Sequence, residues 1–148
     1  MGLRFANWIT GLGVALVVAG SAFAQGATPD ASKADAQAIR EVIRTQIEAF
    51  QQDDGPAAFA LASPSIQAQF GSAENFMRRV RDGYAPVYRP RTYRFLELSV
   101  VEGALVQKVA LIGPDGLAVL AVYPMVKVKD GTWRTNGCYL IPMESKSA

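Results

Sequence analysis

Arginines interleaved with tyrosines form the most distinctive group of side chains that could do chemistry. The members are Arg78, Arg79, Arg81, Arg89, Arg91 and Arg94, with Tyr84, Tyr88 and Tyr93 among them. Arg guanidinium groups bind carboxylates or phosphates through two parallel hydrogen bonds, and a Tyr ring can supply a flat apolar wall beside them. The pattern therefore indicates an anion-recognising rim. The alternative is a solvated helix face with tyrosines that close the edge of the core.

The residue types give catalytic and metal-binding chemistry little support. The sequence has no histidine and one cysteine, Cys138, so it offers neither an imidazole base nor a tetrahedral N/S metal site. Carboxylates best explained as helix caps or turn formers are Asp35, Asp53, Asp54, Asp82, Asp115 and Asp130. Glu97 and Glu102 remain as proton-transfer candidates, but that role needs an apolar pocket to raise the pKa of a carboxylate. The glycines at 113–116 indicate a hairpin turn rather than a phosphate loop, so we assign no catalytic residue, no metal ligand and no cofactor.

The overall charge and the single cysteine limit the classes of partner. Lysines and arginines exceed acidic residues by only 2 in the 148-residue chain, so no charge field points to nucleic acid or to a membrane surface. Alternating aromatic and basic residues suit single-stranded nucleic acid, but the export predicted below argues against that partner. We interpret Cys138 as a buried small hydrophobe, with a reactive thiol or a link between chains as the alternative.

Residues 1–24 have the pattern of a cleavable secretory signal. Arg4 supplies a positive start, residues 8–20 are almost wholly apolar, and Ala22-Phe23-Ala24 places small residues at the cleavage-defining positions. A retained membrane anchor is the alternative, but the apolar run is shorter than the roughly 20 residues that cross a bilayer. We therefore expect cleavage between Ala24 and Gln25, a periplasmic or secreted protein, and no stable membrane anchor after cleavage.

The chain after the signal predicts helices first. A small, polar linker is expected at residues 25–34, and a domain then begins near Asp35. Apolar residues recur at helical spacing from Ile39 to Phe50, with Ser32 or Asp35 as the N-cap. Shorter helical pieces are predicted over 56–62, around 66–70 and from Ser72 to Gly83, which makes four in all.

Strands follow the helices. Runs rich in Val, Leu, Tyr and Phe predict strands at 91–101, 104–112, 117–129 and 132–141, separated by short turns that impose antiparallel neighbours. The fold class is therefore α+β, with N-terminal helices packed in a curved antiparallel sheet. We place the single domain at 35–142 and a C-terminal tail at 143–148.

The third predicted strand is apolar on both faces. One face is expected to cover the helices, so the other must cover a second chain, a ligand cavity or a curled part of the same sheet. Pro124 cannot donate a ladder hydrogen bond, and we therefore expect a bulge or bend there. The doubly apolar strand is the basis for predicting a possible homodimer.

Three segments resemble a bacterial family called domain of unknown function 4864. They are Gly-Ser-Ala-Glu at 71–74, Gly-Tyr-Ala-Pro-Val-Tyr-Arg-Pro-Arg at 83–91, and Asp-Gly-Thr-Trp-Arg at 130–134 with Gly137-Cys138. More loosely, helices followed by a meander that ends in Gly-x-Trp-Arg resemble the nuclear transport factor 2-like superfamily, which includes ketosteroid isomerase-like and polyketide cyclase-like proteins. That resemblance implies a cone-shaped sheet around a long first helix, with a pocket at its open end. It implies no particular activity.

The preferred hypothesis is a non-catalytic exported domain that binds a small apolar or anionic ligand, or a protein partner, at the open end of the cone. The candidate ligand-binding residues are Tyr84, Tyr88, Arg89, Arg91, Trp133 and Asn136. Trp133 is expected to close the core or form a cavity wall, and Asn136 enters by fold analogy. The alternatives are an isomerase-like or cyclase-like enzyme that uses a buried carboxylate, and a structural homodimer.

Overall fold

The computed structural model describes residues 32–143 of the chain. The predicted signal peptide at 1–24, linker residues 25–31 and tail residues 144–148 lie outside the described residues, so the cleavage site stays a prediction. Within the described range, no helix has both the length and the apolar character needed to cross a membrane.

Helix α1 (Lys33–Gln51) is the long first helix that the apolar spacing predicts. Its N-cap is Ser32, whose hydroxyl accepts a hydrogen bond from the backbone N–H of Asp35 at 3.0 Å. The helix therefore begins two residues before the predicted domain boundary. Ile39, Ile43 and Ile47 recur every four residues and are completely buried, so one stripe of α1 forms the centre of the core.

Four shorter helices follow, α2 (Gly55–Ala60), α3 (Pro64–Phe70), α4 (Ala73–Gly83) and α5 (Ala85–Tyr88). The first three are capped by Asp54, Ser63 and Ser72, each of which accepts a backbone N–H three residues later. The sequence predicted α2 from Asp54 and Pro56, a further turn at α3 from Ile66 and Phe70, and α4 from the Ser72 cap. It missed α5, a single turn with no side-chain cap.

The sheet is antiparallel and contains β1 (Thr92–Val101), β2 (Ala104–Ile112), β3 (Ala118–Lys127), β4 (Trp133–Thr135) and β5 (Tyr139–Pro142). Strands β1, β2 and β3 form a meander, and both β4 and β5 pair with β3. The single fourth strand predicted over 132–141 is therefore wrong. It is split because Gly137 has a φ of +108°, a conformation that L side chains rarely adopt and that leaves the extended backbone of a strand.

Of the bulge or bend expected at Pro124, the bulge is wrong and the bend stays a prediction. The β2–β3 register runs without a shift up to its last pair, Val106 opposite Pro124, and the irregularity lies in β1 between Phe95 and Leu98. The carbonyl oxygen of Pro124 accepts from the backbone N–H of Asn136 at 2.8 Å. The missing N–H of Pro124 thus faces the gap between β4 and β5, where no ladder bond is lost.

One face of the curved sheet packs on α1, and this confirms the predicted α+β layout. The core residues on that face of β2 and β3 are Val109, Leu111, Ala121, Tyr123 and Met125. On the opposite face, the β5 side chains Tyr139 and Ile141 are 64% and 48% exposed. The sheet is therefore apolar on both faces, as the sequence of β3 predicted, and the helices cover one of them.

Candidate functional site

A partly enclosed cavity of about 500 Å³ lies between the helices and the end of the sheet. Its walls come from the end of α1, from α3, α4 and α5, from β3, and from the segment that links β4 to β5. The apolar lining side chains are Phe50, Ile66, Phe70, Phe76, Val80 and Val87. This volume falls in the range of small-molecule sites.

Phenylalanine rings hold one wall of the cavity together. The ring centre of Phe76 lies 6.0 Å from that of Phe50, 5.4 Å from that of Phe59 and 5.6 Å from that of Phe70. The rings are tilted or edge-on, which is the favourable arrangement for aromatic pairs. Because Phe76 is buried and touches all three, α4 is fixed against α1, α2 and α3, and the wall is preformed.

Tyr123 of β3 and Cys138 meet at the cavity floor. Tyr123 is 2% exposed, and its hydroxyl has no hydrogen-bond partner among the described residues. The thiol of Cys138 is its neighbour, but the contact lacks the geometry of a hydrogen bond. Burial, followed by the thiol, raises the pKa of Tyr123 well above its usual value, and burial raises the pKa of Cys138 to about 12. Both groups are therefore neutral at physiological pH.

The segment between β4 and β5 shapes one side of the cavity. Asn136 lines it, and its Oδ1 accepts from the hydroxyls of Ser63 at 2.7 Å and Ser65 at 3.1 Å. Backbone bonds link the α2–α3 connection to β4, from the Ser63 N–H to the Thr135 carbonyl at 2.8 Å and from the Thr135 N–H to the Leu61 carbonyl at 3.0 Å. The helical and strand parts of the cavity are thereby joined directly.

Of the six candidate residues, the structure brings Tyr84 and Asn136 together at the cavity. Tyr88 and Arg89 instead lie with Asp53 in what we call the arginine–tyrosine network. The Tyr88 hydroxyl donates to Oδ1 of Asp53, Arg89 Nη2 donates to Oδ2 at 2.9 Å, and Arg89 Nη1 donates to the Phe50 carbonyl oxygen at 2.5 Å. The guanidinium carbon of Arg89 also lies 4.1 Å from the centre of the Tyr88 ring. These contacts hold α5 against the end of α1.

The remaining two candidates also have structural partners. Arg91 donates from Nη2 to the Pro114 carbonyl oxygen at 2.8 Å and so supports the β2–β3 turn. Trp133 donates from Nε1 to Oδ1 of Asp35 at 3.1 Å, a contact that lowers the pKa of Asp35 and ties the start of α1 to β4. Neither residue lines the cavity, and Trp133 lies at the start of α1, whereas the cavity is at the end of that helix.

Sequence reasoning missed Tyr123 as a site residue and treated Cys138 as core. The signal that could have found Tyr123 is the alternation of side chains along a strand. Tyr123 shares the inner face of β3 with Ala121 and Met125, and it is the one polar residue of the three. Arg79 was named within the arginine cluster but not selected, and it lines the cavity from α4. Its selection required knowing which way α4 faces.

Acidic residues are absent from the cavity lining that the structure describes. Every Asp and Glu between residues 32 and 143 is exposed or half-buried, including Glu97, which pairs with Lys108 at 3.1 Å. The same stretch contains no group of three or more His, Cys, Asp or Glu side chains arranged to hold a metal ion.

Comparisons with known proteins place the chain in a family. The sequence profile of Domain of unknown function (DUF4864) matches residues 32–148, which confirms the resemblance seen in the sequence. A solved structure described as an NTF-2 like protein of unknown function, from Burkholderia xenovorans LB400, is similar over 75% of this chain and 89% of that chain, with 15% identity and a TM-score of 0.43. No curated protein matches the chain.

Proposed function

The chain belongs to the family Domain of unknown function (DUF4864), and we propose that its domain binds a small, largely apolar ligand in the cavity described above. The family label specifies no activity, so the proposal rests on geometry. The observation that carries it is the cavity of about 500 Å³ whose phenylalanine and aliphatic walls are fixed in place. Sites for small molecules are typically preformed, mostly apolar hollows with a few polar groups.

Polar side chains also contribute to the lining. Gln46 lies buried on α1, with its Nε2 donating to the Ala58 carbonyl oxygen at 2.9 Å. Arg79 is the one charged lining residue in the part of the chain that the structure describes, and the other polar ones are Gln69, Tyr84, Tyr123, Thr135, Asn136 and Tyr139. An apolar body with one or two oxygen atoms fits such a lining better than a polyanion does.

The isomerase or cyclase alternative depends on a buried carboxylate as general base. The distribution of Asp and Glu in residues 32–143 gives that hypothesis no support, since each of these side chains contacts solvent. Ligand binding is therefore the function that the geometry supports best.

Naphthalene tests the proposal because it is apolar, aromatic and small enough to enter the cavity. Isothermal titration should show one site, and naphthalene at ten times its Kd should stabilise the fold by about 1.4 kcal/mol through mass action. Ile66→Trp and Phe70→Trp add bulk to the lining and should weaken binding at least about tenfold.

The matched control for these variants is Leu117→Trp. Leu117 is exposed in the β2–β3 turn, so the same indole added there should leave naphthalene binding unchanged. Undetectable binding to the wild-type protein, or equal binding by all four proteins, contradicts the proposal.

We also propose that the domain acts outside the cytoplasm, on the strength of residues 1–24. Expressed in a Gram-negative bacterium, the protein should appear in the periplasmic fraction with Gln25 as its first residue by mass spectrometry. Ala24→Lys removes a small residue from the cleavage-defining positions and should yield the uncut chain. Recovery of the wild-type chain uncut from the cytoplasm contradicts export.

Self-association through the outer sheet face stays a prediction. Tyr139 and Ile141 are the exposed apolar side chains of β5, next to half-buried Leu120 and Val122 of β3. Light scattering should give about twice the monomer mass for the wild-type protein and the monomer mass for Ile141→Lys. A wild-type monomer at high protein concentration contradicts the prediction and leaves the cavity proposal intact.

A further inference from the structure

The hydroxyl of Tyr123 is an unpaired polar atom in an apolar floor. It is shut off from solvent and forms no hydrogen bond with any group in residues 32–143. Buried hydroxyls in folded proteins have partners, because an unpaired one is destabilising. Phenylalanine would fill the same place without that cost. We therefore expect the tyrosine hydroxyl to form a hydrogen bond with a group outside residues 32–143.

The environment of this hydroxyl decides which kind of partner fits. Burial raises the pKa of both Tyr123 and Cys138, so the phenol keeps its proton and the thiol adds no charge. Arg79, the charged side chain of the described lining, lies on α4 and is exposed to solvent. The floor thus offers one hydrogen-bond donor and no compensating charge.

A neutral oxygen acceptor satisfies that floor, whereas a carboxylate does not. A buried carboxylate needs a cation or several donors to offset its lost hydration. A ketone, ester or amide carbonyl loses less hydration and accepts one hydrogen bond from a phenol in ordinary geometry. The hydroxyl is shut off from solvent, so a ligand reaches Oη only when a neighbouring side chain such as Cys138 moves aside.

We propose that the occupant of this cavity carries a neutral carbonyl group that accepts a hydrogen bond from Tyr123 Oη, with an aromatic or alicyclic body against the phenylalanine wall. This inference rests on the proposed function and narrows it to a ligand class. It assigns the specificity of the site to the floor rather than to the arginines.

Three probes of one shape test this class. They are 2-acetylnaphthalene, its alkene counterpart 2-isopropenylnaphthalene, and 2-naphthoate, each titrated by calorimetry into the wild-type, Tyr123→Phe and Tyr93→Phe proteins. Tyr93→Phe is the matched control, because it removes the same atom from a half-buried tyrosine that does not line the cavity.

We expect Tyr123→Phe to weaken the ketone about five- to tenfold, the size of one net hydrogen bond. The alkene should change less than about twofold, and Tyr93→Phe should leave the ratio of the two Kd values as in the wild type. The wild-type protein should bind naphthoate more weakly than the ketone.

Each contrary outcome overturns a different claim. If no probe binds, the cavity proposal falls and this inference falls with it. If the alkene binds and the ketone gains nothing from Tyr123, the cavity proposal stands and the carbonyl inference is wrong, with a buried water as the partner of the hydroxyl. If naphthoate binds most tightly, anion recognition replaces the neutral carbonyl.

Discussion

Two groups of polar side chains lie near the C-terminal end of α1. They differ in whether their polar atoms have hydrogen-bond partners. In the arginine–tyrosine network, the Tyr88 hydroxyl, the Asp53 carboxylate and the Arg89 guanidinium form hydrogen bonds with one another at the protein surface. On the cavity floor, Tyr123 is buried and its hydroxyl is unpaired. The residues that look reactive in the sequence are thus engaged in structure, and an inconspicuous tyrosine in an apolar strand is available.

This contrast separates stability from recognition. The network closes α5 onto the end of α1 through exposed contacts, which are screened by solvent and contribute modestly. Tyr123 on the floor and Phe76 in the wall are buried, so packing there contributes strongly and a hydrogen bond there is selective. The predictions below test this division from the largest expected effect to the smallest.

The cavity wall should carry far more stability than the network. Phe76→Ala removes the ring that touches Phe50, Phe59 and Phe70, and the free energy of unfolding should fall by about 3–5 kcal/mol. Urea denaturation measures the change. Phe70→Ala, at a half-buried position, is the control and should cost less. A loss no larger than that of Phe70→Ala indicates that the wall collapses around the gap.

Alkaline pH should lower the free energy of unfolding, because the Cys138 thiol keeps its proton in the folded protein. The pKa of Cys138 rises from its ordinary 9.0 to about 12 on folding, so above pH 9 the unfolded chain releases a proton that the folded one keeps. Stability is complete below pH 9 and falls by up to about 1.4 kcal/mol for each pH unit between the two values. Urea denaturation between pH 7 and pH 11 should show a smaller loss for Cys138→Ala. Equal slopes for the two proteins contradict a buried thiol.

A pair of tyrosine variants compares the two clusters directly. Tyr123→Phe removes an unpaired buried hydroxyl and should leave stability unchanged or raise it by about 1 kcal/mol. Tyr88→Phe removes a donor to Asp53 and should lower the melting temperature. Thermal unfolding of both variants beside the wild type gives the answer, and a clear loss in Tyr123→Phe shows that its hydroxyl has a partner in the folded protein.

The smallest expected effect is the loss of stability when acid protonates Asp53 in the arginine–tyrosine network. The Tyr88 hydrogen bond, followed by the charge of Arg89, lowers the pKa of Asp53 from 3.8. The stability from this carboxylate is therefore present above pH 3.8 and is lost as the pH falls through the folded value. Asp53→Asn should remove part of the acid sensitivity seen by circular dichroism between pH 5 and pH 2. High salt should reduce the same difference, because the pair is exposed.

Local signals made most of the fold predictable. The four-residue spacing of Ile39, Ile43 and Ile47 predicted α1, and the Asp54 and Ser72 caps predicted α2 and α4. The antiparallel meander followed from its short turns. The break at Gly137 was missed because one glycine in a run of strand-like residues does not reveal a positive φ.

The candidate site was less predictable, because it depends on contacts between residues far apart in the chain. Arginines 89 and 91 fitted an anion site by residue type, yet their partners, Asp53 and the Pro114 carbonyl, lie 36 and 23 residues away. Asn136 was selected by fold analogy and does line the cavity. The alternation of side chains along β3 places Tyr123 on the inner face. Whether its hydroxyl finds a hydrogen-bond partner depends on the side chains that α4 and residue 138 bring near it, which the sequence does not reveal.

The break between β4 and β5 also bears on how the binding preference of this domain can change. Each of these strands is paired with its own part of β3, so neither depends on the other for its register. Insertions or deletions at residues 136–138 can therefore alter the shape of this side of the cavity while both ladders stay in place. Relatives that differ in the length of this connection are expected to accept ligands of different size at little cost to folding.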